Sequence, residues 1–309
     1  MRRHYLLPVA LLLIPATAAT QRAPRPDPLV REGATVQLGA HSYAIPDGSV
    51  GGVPNVGIIV GERATLVIDP GLGRRNGEAV LREVAKVSAG DELYIASTHF
   101  HPEHTTGYVA FPDEARYVNS TVQEAEFAES GRRMIDLFAG RTPVMADLLR
   151  DAERRVADIT FEREHTLDLG GVTVRMLVVG PTHTRGDTGF FVEEDDVLFA
   201  GDVVMNDSFL AANQGSNVTA WLAAFDAFEA LGPRTIVPAH GEIGDGTLIQ
   251  TQRTIVEGIR VRARALKAEG RSADDAASTI QAELVADHPA WPRANGLAAL
   301  ARAAWAETQ

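Results

Sequence analysis

The chain has 309 residues, and 45% of them are hydrophobic, which is enough to form a large buried core. The formal net charge is −12, which argues against nucleic-acid binding and against a polybasic membrane-surface protein. Cysteine is absent, so disulfides, thiol nucleophiles and cysteine-ligated metal sites are excluded.

The first 19 residues have the pattern of a secretory signal peptide. Two arginines precede an apolar run over residues 6–14, and small residues follow it. The run is too short to span a bilayer, which requires about 20 residues. We therefore predict cleavage after Ala18 or Ala19, a periplasmic or secreted location, and a proline-rich disordered leader over residues 20–32. A short uncleaved anchor is the alternative.

Strands and helices alternate along residues 33–309, which predicts a single α/β domain with a helical C-terminal region. Short apolar runs predict strands at 35–38, 42–45, 56–60, 65–68, 93–97, 115–119, 172–179, 189–192, 197–200 and 236–237. Apolar spacing of three and four predicts helices at 78–87, 221–231 and 248–266, and Asn217 can cap the second of them. A mostly helical insertion is predicted over about 121–157, beginning with a capping box at Thr121 and Glu124. It is either a lid or a packing element.

A dense group of candidate metal ligands follows the strand predicted at 93–97. It consists of His99, His101, Glu103 and His104. Crowded protonated imidazoles would repel one another, whereas neutral ones beside a carboxylate form a metal site. In an extended segment, His99 and His101 point to one side and can bind one ion, while Glu103 and His104 face a second position. Nitrogen and oxygen ligands without thiolate suit zinc, and also iron or manganese.

Three further candidate ligands follow other predicted strands. His183 lies in a loop with glycine and proline, Asp202 follows a glycine, and His240 precedes one. Ends of strands are where α/β proteins place their sites. Together the seven side chains could complete the shells of two metal ions. Three of the four remaining histidines are interpreted as ordinary turn or backbone-bonding residues: His41, His165 and His288.

The pattern resembles that of the metallo-β-lactamase fold superfamily. The first motif of that family, His-x-His-x-Asp-His, reads His99-Phe-His101-Pro-Glu103-His104 here, and the later ligands correspond to His183, Asp202 and His240. Asp69 matches the Asp-x-Gly turn of the family, which supports the ligands from behind. The resemblance covers roughly residues 50–245 and implies an αββα sandwich of two mixed sheets with outer helices.

The resemblance also implies how two zinc ions would be held. It assigns one ion to His99, His101 and His183. It assigns the other ion to Glu103, His104 and His240, and it makes Asp202 the ligand shared by both ions. A hydroxide between the ions would attack the substrate, with Glu103 and Asp202 as the catalytic carboxylates. The family has aspartate where this chain has Glu103, which predicts a weak or absent second metal, or a general-base role for Glu103.

The implied function is metal-dependent hydrolysis of an ester, thioester, lactone or amide bond in a small molecule. Asp202 resembles the bridging residue of the glyoxalase-II, lactonase, sulfatase and nuclease branches, and the acidic charge argues against the last of these. Residues 201–241 most resemble exported hydrolases of the quinoprotein-relay or sulfur-oxidation-associated type. One alternative is a β-lactamase, for which Arg185 would be the candidate carboxylate anchor. The other is a non-hydrolytic metal-binding protein or iron oxidoreductase. The sequence predicts neither a nucleic-acid partner nor stable membrane insertion, and it leaves the oligomeric state open.

Overall fold

The computed structural model describes residues 26–88, 90–213 and 215–308. The predicted signal peptide over residues 1–19 and the beginning of the predicted leader lie outside the described residues. From Pro28 onward the leader is not disordered, because it packs against the first helix. The Val30 N–H donates to Asn76 Oδ1 at 2.8 Å, and Asn76 Nδ2 donates to the Pro28 carbonyl at 2.9 Å. The prediction of disorder over residues 20–32 is therefore wrong from Pro28 onward.

The first sheet contains seven strands in the order in which they occur along the chain. They are β1 (Val36–Gln37), β2 (Ser42–Ile45), β3 (Val56–Val60), β4 (Ala64–Ile68), β5 (Glu92–Ala96), β6 (Arg116–Ser120) and β7 (Ile159–Phe161). Strands β1 to β4 pair antiparallel, whereas β4 to β7 pair parallel. Because parallel strands run in the same direction, the carboxyl ends of β4, β5 and β6 lie at one edge of the sheet.

The second sheet contains five strands in the order β12-β11-β10-β9-β8. They are β8 (Glu164–Asp168), β9 (Thr173–Val178), β10 (Thr188–Val192), β11 (Val197–Gly201) and β12 (Thr235–Pro238). Strands β8 to β11 pair antiparallel, and β12 lies parallel to β11. The last two strands therefore also send their carboxyl ends to a common edge.

Nine α-helices of the described residues surround or extend the two sheets. They are α1 (Gly73–Val87), α2 (Pro102–Thr105), α3 (Thr121–Glu126), α4 (Arg132–Ala139), α5 (Pro143–Leu148), α6 (Val218–Ala230), α7 (Thr247–Ala268), α8 (Ala273–Asp287) and α9 (Leu297–Glu307). The helix α6 begins as predicted, because the Asn217 Oδ1 accepts the Ala220 N–H at 2.7 Å. None of the helices described has the length and apolar character needed to cross a membrane.

Buried side chains fill three interfaces, one between the two sheets and one between each sheet and its outer helices. This arrangement confirms the predicted αββα sandwich. Leu66 and Phe199 are among the buried side chains that pack between the two sheets. The outer face of the first sheet packs against α1 through Val80. The outer face of the second sheet packs against α6 and α7 through Phe225 and Val256. Apolar burial of this kind is worth about 25 cal/mol per Å² and is the main stabilisation of the sandwich.

Several local predictions need correction. The strands β7 and β8 were not predicted, because β7 has three residues and only Leu167 of β8 is buried, so the apolar alternation is weak. The predicted helical insertion over 121–157 ends with α5, and residues 149–158 are not helical. Its cap is Ser120 rather than Thr121, since the Ser120 Oγ accepts the Gln123 N–H. The ligand cluster is extended only up to His101, and α2 follows.

Candidate metal centre

Both sheets deliver the predicted ligands to the same edge of the sandwich. His99 follows the end of β5, and His183 lies in the loop between β9 and β10. Asp202 follows the end of β11, and His240 follows the end of β12. The structure thus brings together side chains that are far apart in the sequence, at the position where an α/β protein places its site.

Three histidines form the first group of ligand atoms. The His99 Nε2 lies 3.0 Å from the His101 Nδ1, and the His183 Nε2 lies 3.1 Å from that same atom. All three side chains are buried. Burial, together with the neighbouring histidines, lowers the pKa of His99 and His101 well below the ordinary value, so both imidazoles are neutral and able to bind a metal.

A glutamate and two histidines form the second group. Ligand atoms of Glu103, His104 and His240 lie within 4.8 Å of one another. The short helix α2 carries Glu103 and His104 on adjacent positions. The His240 Nδ1 lies 2.8 Å from the Val53 carbonyl, which orients the ring and leaves Nε2 free for the site.

Asp202 lies between the two groups. Its Oδ2 is 3.4 Å from the His183 Nε2, and its Oδ1 is 3.8 Å from the His240 Nε2. Burial raises the pKa of this carboxyl, but Arg293 and the histidines around it outweigh that effect and hold the pKa well below its usual value. Asp202 is therefore an anion that faces both groups at neutral pH.

Asp69 positions the second group from behind, as its match to the family turn predicts. It has a left-handed backbone with φ of 59°, and its Oδ1 accepts the Thr98 N–H at 2.7 Å. Its Oδ2 lies 2.9 Å from the His104 Nδ1. Burial lowers the pKa of His104, but Asp69 outweighs it and raises the pKa to about 9. A metal at Nε2 would therefore displace a proton, which is the usual coupling of metal binding to ionisation.

Unpartnered polar atoms show that the residues fit bound cations. Four candidate ligand residues each have a buried polar atom without a hydrogen-bond partner among the described residues: His101 Nε2, Glu103 Oε2, His104 Nε2 and Asp202 Oδ1. Buried polar atoms normally have partners, so four such atoms in one cluster need an explanation. A divalent metal accepts electron pairs from carboxylate oxygens and imidazole nitrogens, and this donor set without sulfur suits zinc, iron or manganese.

A cavity of about 1150 Å³ opens above the ligands. His101, Glu103, His183 and His240 contribute to its floor, and the helix α4 contributes an apolar wall. That wall consists of Met134, Leu137 and Phe138. The segment over 121–157, predicted to be either a lid or a packing element, therefore forms part of the cavity through α4.

Two arginines in this cavity were not predicted from the sequence. Arg141 follows α4, and Arg293 precedes α9. No motif marks either residue, and Arg293 lies outside the part of the chain that the resemblance covers. Arg185, the predicted anion anchor, instead pairs with Glu126 and Glu129.

Glu103→Gln is expected to release most of the metal from the second group and leave the first group occupied. The substitution keeps the length of the side chain and removes the anionic oxygen, so a dication loses a charged ligand. Metal content per chain, measured on dialysed protein, checks this result. Glu103→Asp is the matched comparison. A clear loss with aspartate would indicate that the site is built around the longer glutamate, and a gain would indicate that the shorter reach of the family residue fits better.

Comparisons with known proteins agree with this geometry. A sequence model described as the metallo-beta-lactamase superfamily matches residues 50–240. The chain is 28% identical over 180 residues to the lactamase-like protein vrtG of Penicillium aethiopicum, covering 58% of this chain and 48% of that protein. It is 25% identical over 218 residues to atrochrysone carboxyl ACP thioesterase of Aspergillus terreus, covering 71% of this chain and 58% of the relative. The chain thus spans about half the length of these curated relatives.

A solved structure shows the same fold. The stereoselective inverting sec-alkylsulfatase Pisa1 from Pseudomonas sp. superimposes with a TM-score of 0.65 at 16% identity. The match covers 88% of this chain and 49% of that chain.

Proposed function

The chain belongs to the metallo-beta-lactamase superfamily, whose members are mostly hydrolases, and we propose that it is itself a zinc-dependent hydrolase with two metal ions. One observation carries this proposal. Asp202 lies between two groups of buried or half-buried ligand residues, and His101, His183 and His240 of these groups line a cavity. A single structural ion would need neither the second group nor an accessible cavity above it.

Different residues of the chain would have different roles at such a site. Zinc held by the two groups would supply Lewis acidity and an activated water whose pKa falls from about 15.7 to near 7. Asp202 offers its two oxygens to both groups, and Asp69 holds the His104 ring in the orientation that exposes Nε2.

We propose carboxylic esters, thioesters and lactones as the preferred substrates over β-lactams. An aspartate between the metals donates more negative charge than a serine would, and thereby lowers the Lewis acidity available for an amide-type bond. The similarity to a thioesterase supports the same class. Arg185 is not available as the anchor of a β-lactam carboxylate, but Arg141 and Arg293 line the cavity and could take that place.

The experiment combines metal analysis with a substrate panel. Zinc-loaded protein is expected to hydrolyse a 4-nitrophenyl ester, a small thioester or a lactone with a kcat/KM above that for nitrocefin. A higher value for nitrocefin would favour the β-lactamase alternative. Visible absorbance together with iron in the purified protein, and no turnover of any substrate, would favour an iron oxidoreductase or a binding protein.

Export also remains a proposal, and it rests on the signal-peptide pattern of residues 1–19. We expect the exported protein to begin close to Ala19 or Thr20. Intact-mass measurement of the protein recovered from the periplasm or the medium checks this, and a chain there that still begins with Met1 would contradict it.

A further inference from the structure

Arg141 presents a cation to the cavity without an acidic partner. Its Cζ lies 3.4 Å from the centre of the Phe138 ring, and the Phe138 ring lies 6.3 Å from the His101 ring. The guanidinium therefore lies one aromatic ring away from a candidate metal ligand. Among the described residues its side chain has no hydrogen bond or ion pair, and it remains accessible to solvent. Stacking on an aromatic face holds an arginine in place and leaves its N–H groups free for an anion.

Arg293 presents a second cation from the C-terminal region. Its Nη2 lies 2.5 Å from the Asp202 Oδ2, and its side chain is 27% exposed, so the guanidinium also borders the cavity. The backbone of Arg293 is left-handed, with φ of 66°, a conformation that a side chain of this size rarely adopts. Strained residues of this kind cluster at ligand-binding sites.

The surrounding backbone holds Arg293 in this position. The Phe209 N–H donates to the Pro292 carbonyl, and a Cβ on Gly296 would lie 2.6 Å from the Ala211 Cα. The carbonyl of Ala211 in turn contacts the ring of His183. The segment around Arg293 is thus packed against the same loop that orients a candidate metal ligand.

We propose that Arg141 and Arg293 together bind an anionic group of the substrate, so that the preferred substrates are esters or thioesters whose acyl part carries a carboxylate. The inference rests on the proposed hydrolytic function and specifies its substrate class. Two arginines on separate elements border one cavity. Arg141 presents a planar set of donors that matches a carboxylate, and Arg293 keeps further N–H donors beside the Nη2 that pairs with Asp202. The apolar wall of α4 between Arg141 and the floor suits the hydrocarbon part of such an acyl chain.

Asp202 already pairs with Arg293, whereas Arg141 has no acidic partner among the described residues, so Arg141 is the cation that an anionic ligand would meet without a counter-charge. Glu103 also lines the cavity, but it is a candidate metal ligand, and a bound metal would offset its charge. Asp47 accepts the backbone N–H groups of Ser49 and Gly241, which satisfies its charge locally. Asp207 and Glu242 also line the cavity, but both are exposed, so water screens their charges.

The test uses two esters that differ in one group. Mono-4-nitrophenyl adipate and 4-nitrophenyl hexanoate have acyl chains of equal length, ending in a carboxylate and a methyl group. Zinc-loaded wild-type protein is expected to prefer the adipate ester by about 10-fold in kcat/KM, the typical effect of a hydrogen bond to a charged group. Arg141→Ala is expected to abolish most of that preference. Arg133→Ala is the matched control, because Arg133 is an exposed residue of α4, the helix that Arg141 follows, and does not line the cavity.

Equilibrium binding provides a readout that does not depend on turnover. Calorimetric titration with adipate is expected to give a Kd about 10-fold weaker for Arg141→Ala, and also weaker for Arg293→Ala, but unchanged for Arg133→Ala. Hydrolysis of both esters without preference, or adipate binding that does not change in Arg141→Ala, would overturn the inference. If neither ester is hydrolysed, the proposed function fails, and the titration still decides whether the arginines bind the anion.

Discussion

Replacing His101 with alanine is expected to release most of the metal from the first group and to abolish most of the activity. Its Nδ1 is the atom to which both His99 Nε2 and His183 Nε2 are close, at 3.0 and 3.1 Å, so it is the centre of the group. Zinc bound by four ligands is stabilised by about 10–16 kcal/mol, which corresponds to about 3 kcal/mol per ligand. Removing one ligand should therefore weaken binding on the order of 10²-fold.

Metal content and affinity, measured by competition with a chromogenic chelator, check this prediction. His165→Ala is the control, because His165 lies on β8 and stacks against Phe161 outside the cluster. It removes one imidazole without touching the candidate centre and should keep the metal. Full metal stoichiometry in His101→Ala would show that the first group has been assigned wrongly.

The second large effect is expected for Asp202→Asn in metal-free protein. The substitution preserves shape but removes the negative charge that Arg293 pairs with at 2.5 Å. Breaking one side of this largely buried pair leaves the guanidinium, which is 27% exposed, without its partner and costs about 2 kcal/mol of unfolding free energy. Urea denaturation in the presence of a chelator measures this loss. The same variant should bind less metal, since the ligand facing both groups has lost its charge.

A second substitution tests whether the loss of stability in Asp202→Asn comes from the unpaired charge of Arg293. Asp202→Asn combined with Arg293→Met removes the unpaired guanidinium, so the double variant should be more stable than Asp202→Asn alone. Because the pKa of Asp202 is depressed in the folded state, the contribution of the pair is present above the unfolded pKa of about 3.9 and is lost as the pH falls through the folded value. A change of unfolding free energy within about 0.5 kcal/mol for Asp202→Asn would contradict the pairing.

Most of the fold was predictable because local patterns encode it. The strand β3 and the cap of α6 at Asn217 were predicted to the residue, since apolar periodicity and capping depend on neighbours in the sequence. The edge strand β8 was not predictable in this way. It pairs with β9 through its backbone while four of its five side chains are at least partly exposed, and backbone pairing leaves little trace in the pattern of side chains.

The candidate site was also predictable in part, where its residues form a local motif. The cluster from His99 to His104 is visible as a local motif, and the resemblance to a family links it to His183, Asp202 and His240. Only the structure shows that these side chains lie close together. It also shows that the Val53 carbonyl orients the His240 ring, although the two residues are 187 positions apart. A backbone carbonyl carries no signature in the sequence, because every residue has one.

The sequence by itself determined the chemical class of the ligands, the absence of thiols, the order of the motifs and the alternation of elements that requires a layered α/β fold. Only the tertiary structure decided which cations border the cavity. Arg185 is adjacent in sequence to the motif of His183 yet is bound by Glu126 and Glu129, whereas Arg293 reaches Asp202 across 91 residues. The physical reason is that charge pairing depends on distance in space, and the packing of the C-terminal helices against the second sheet sets that distance.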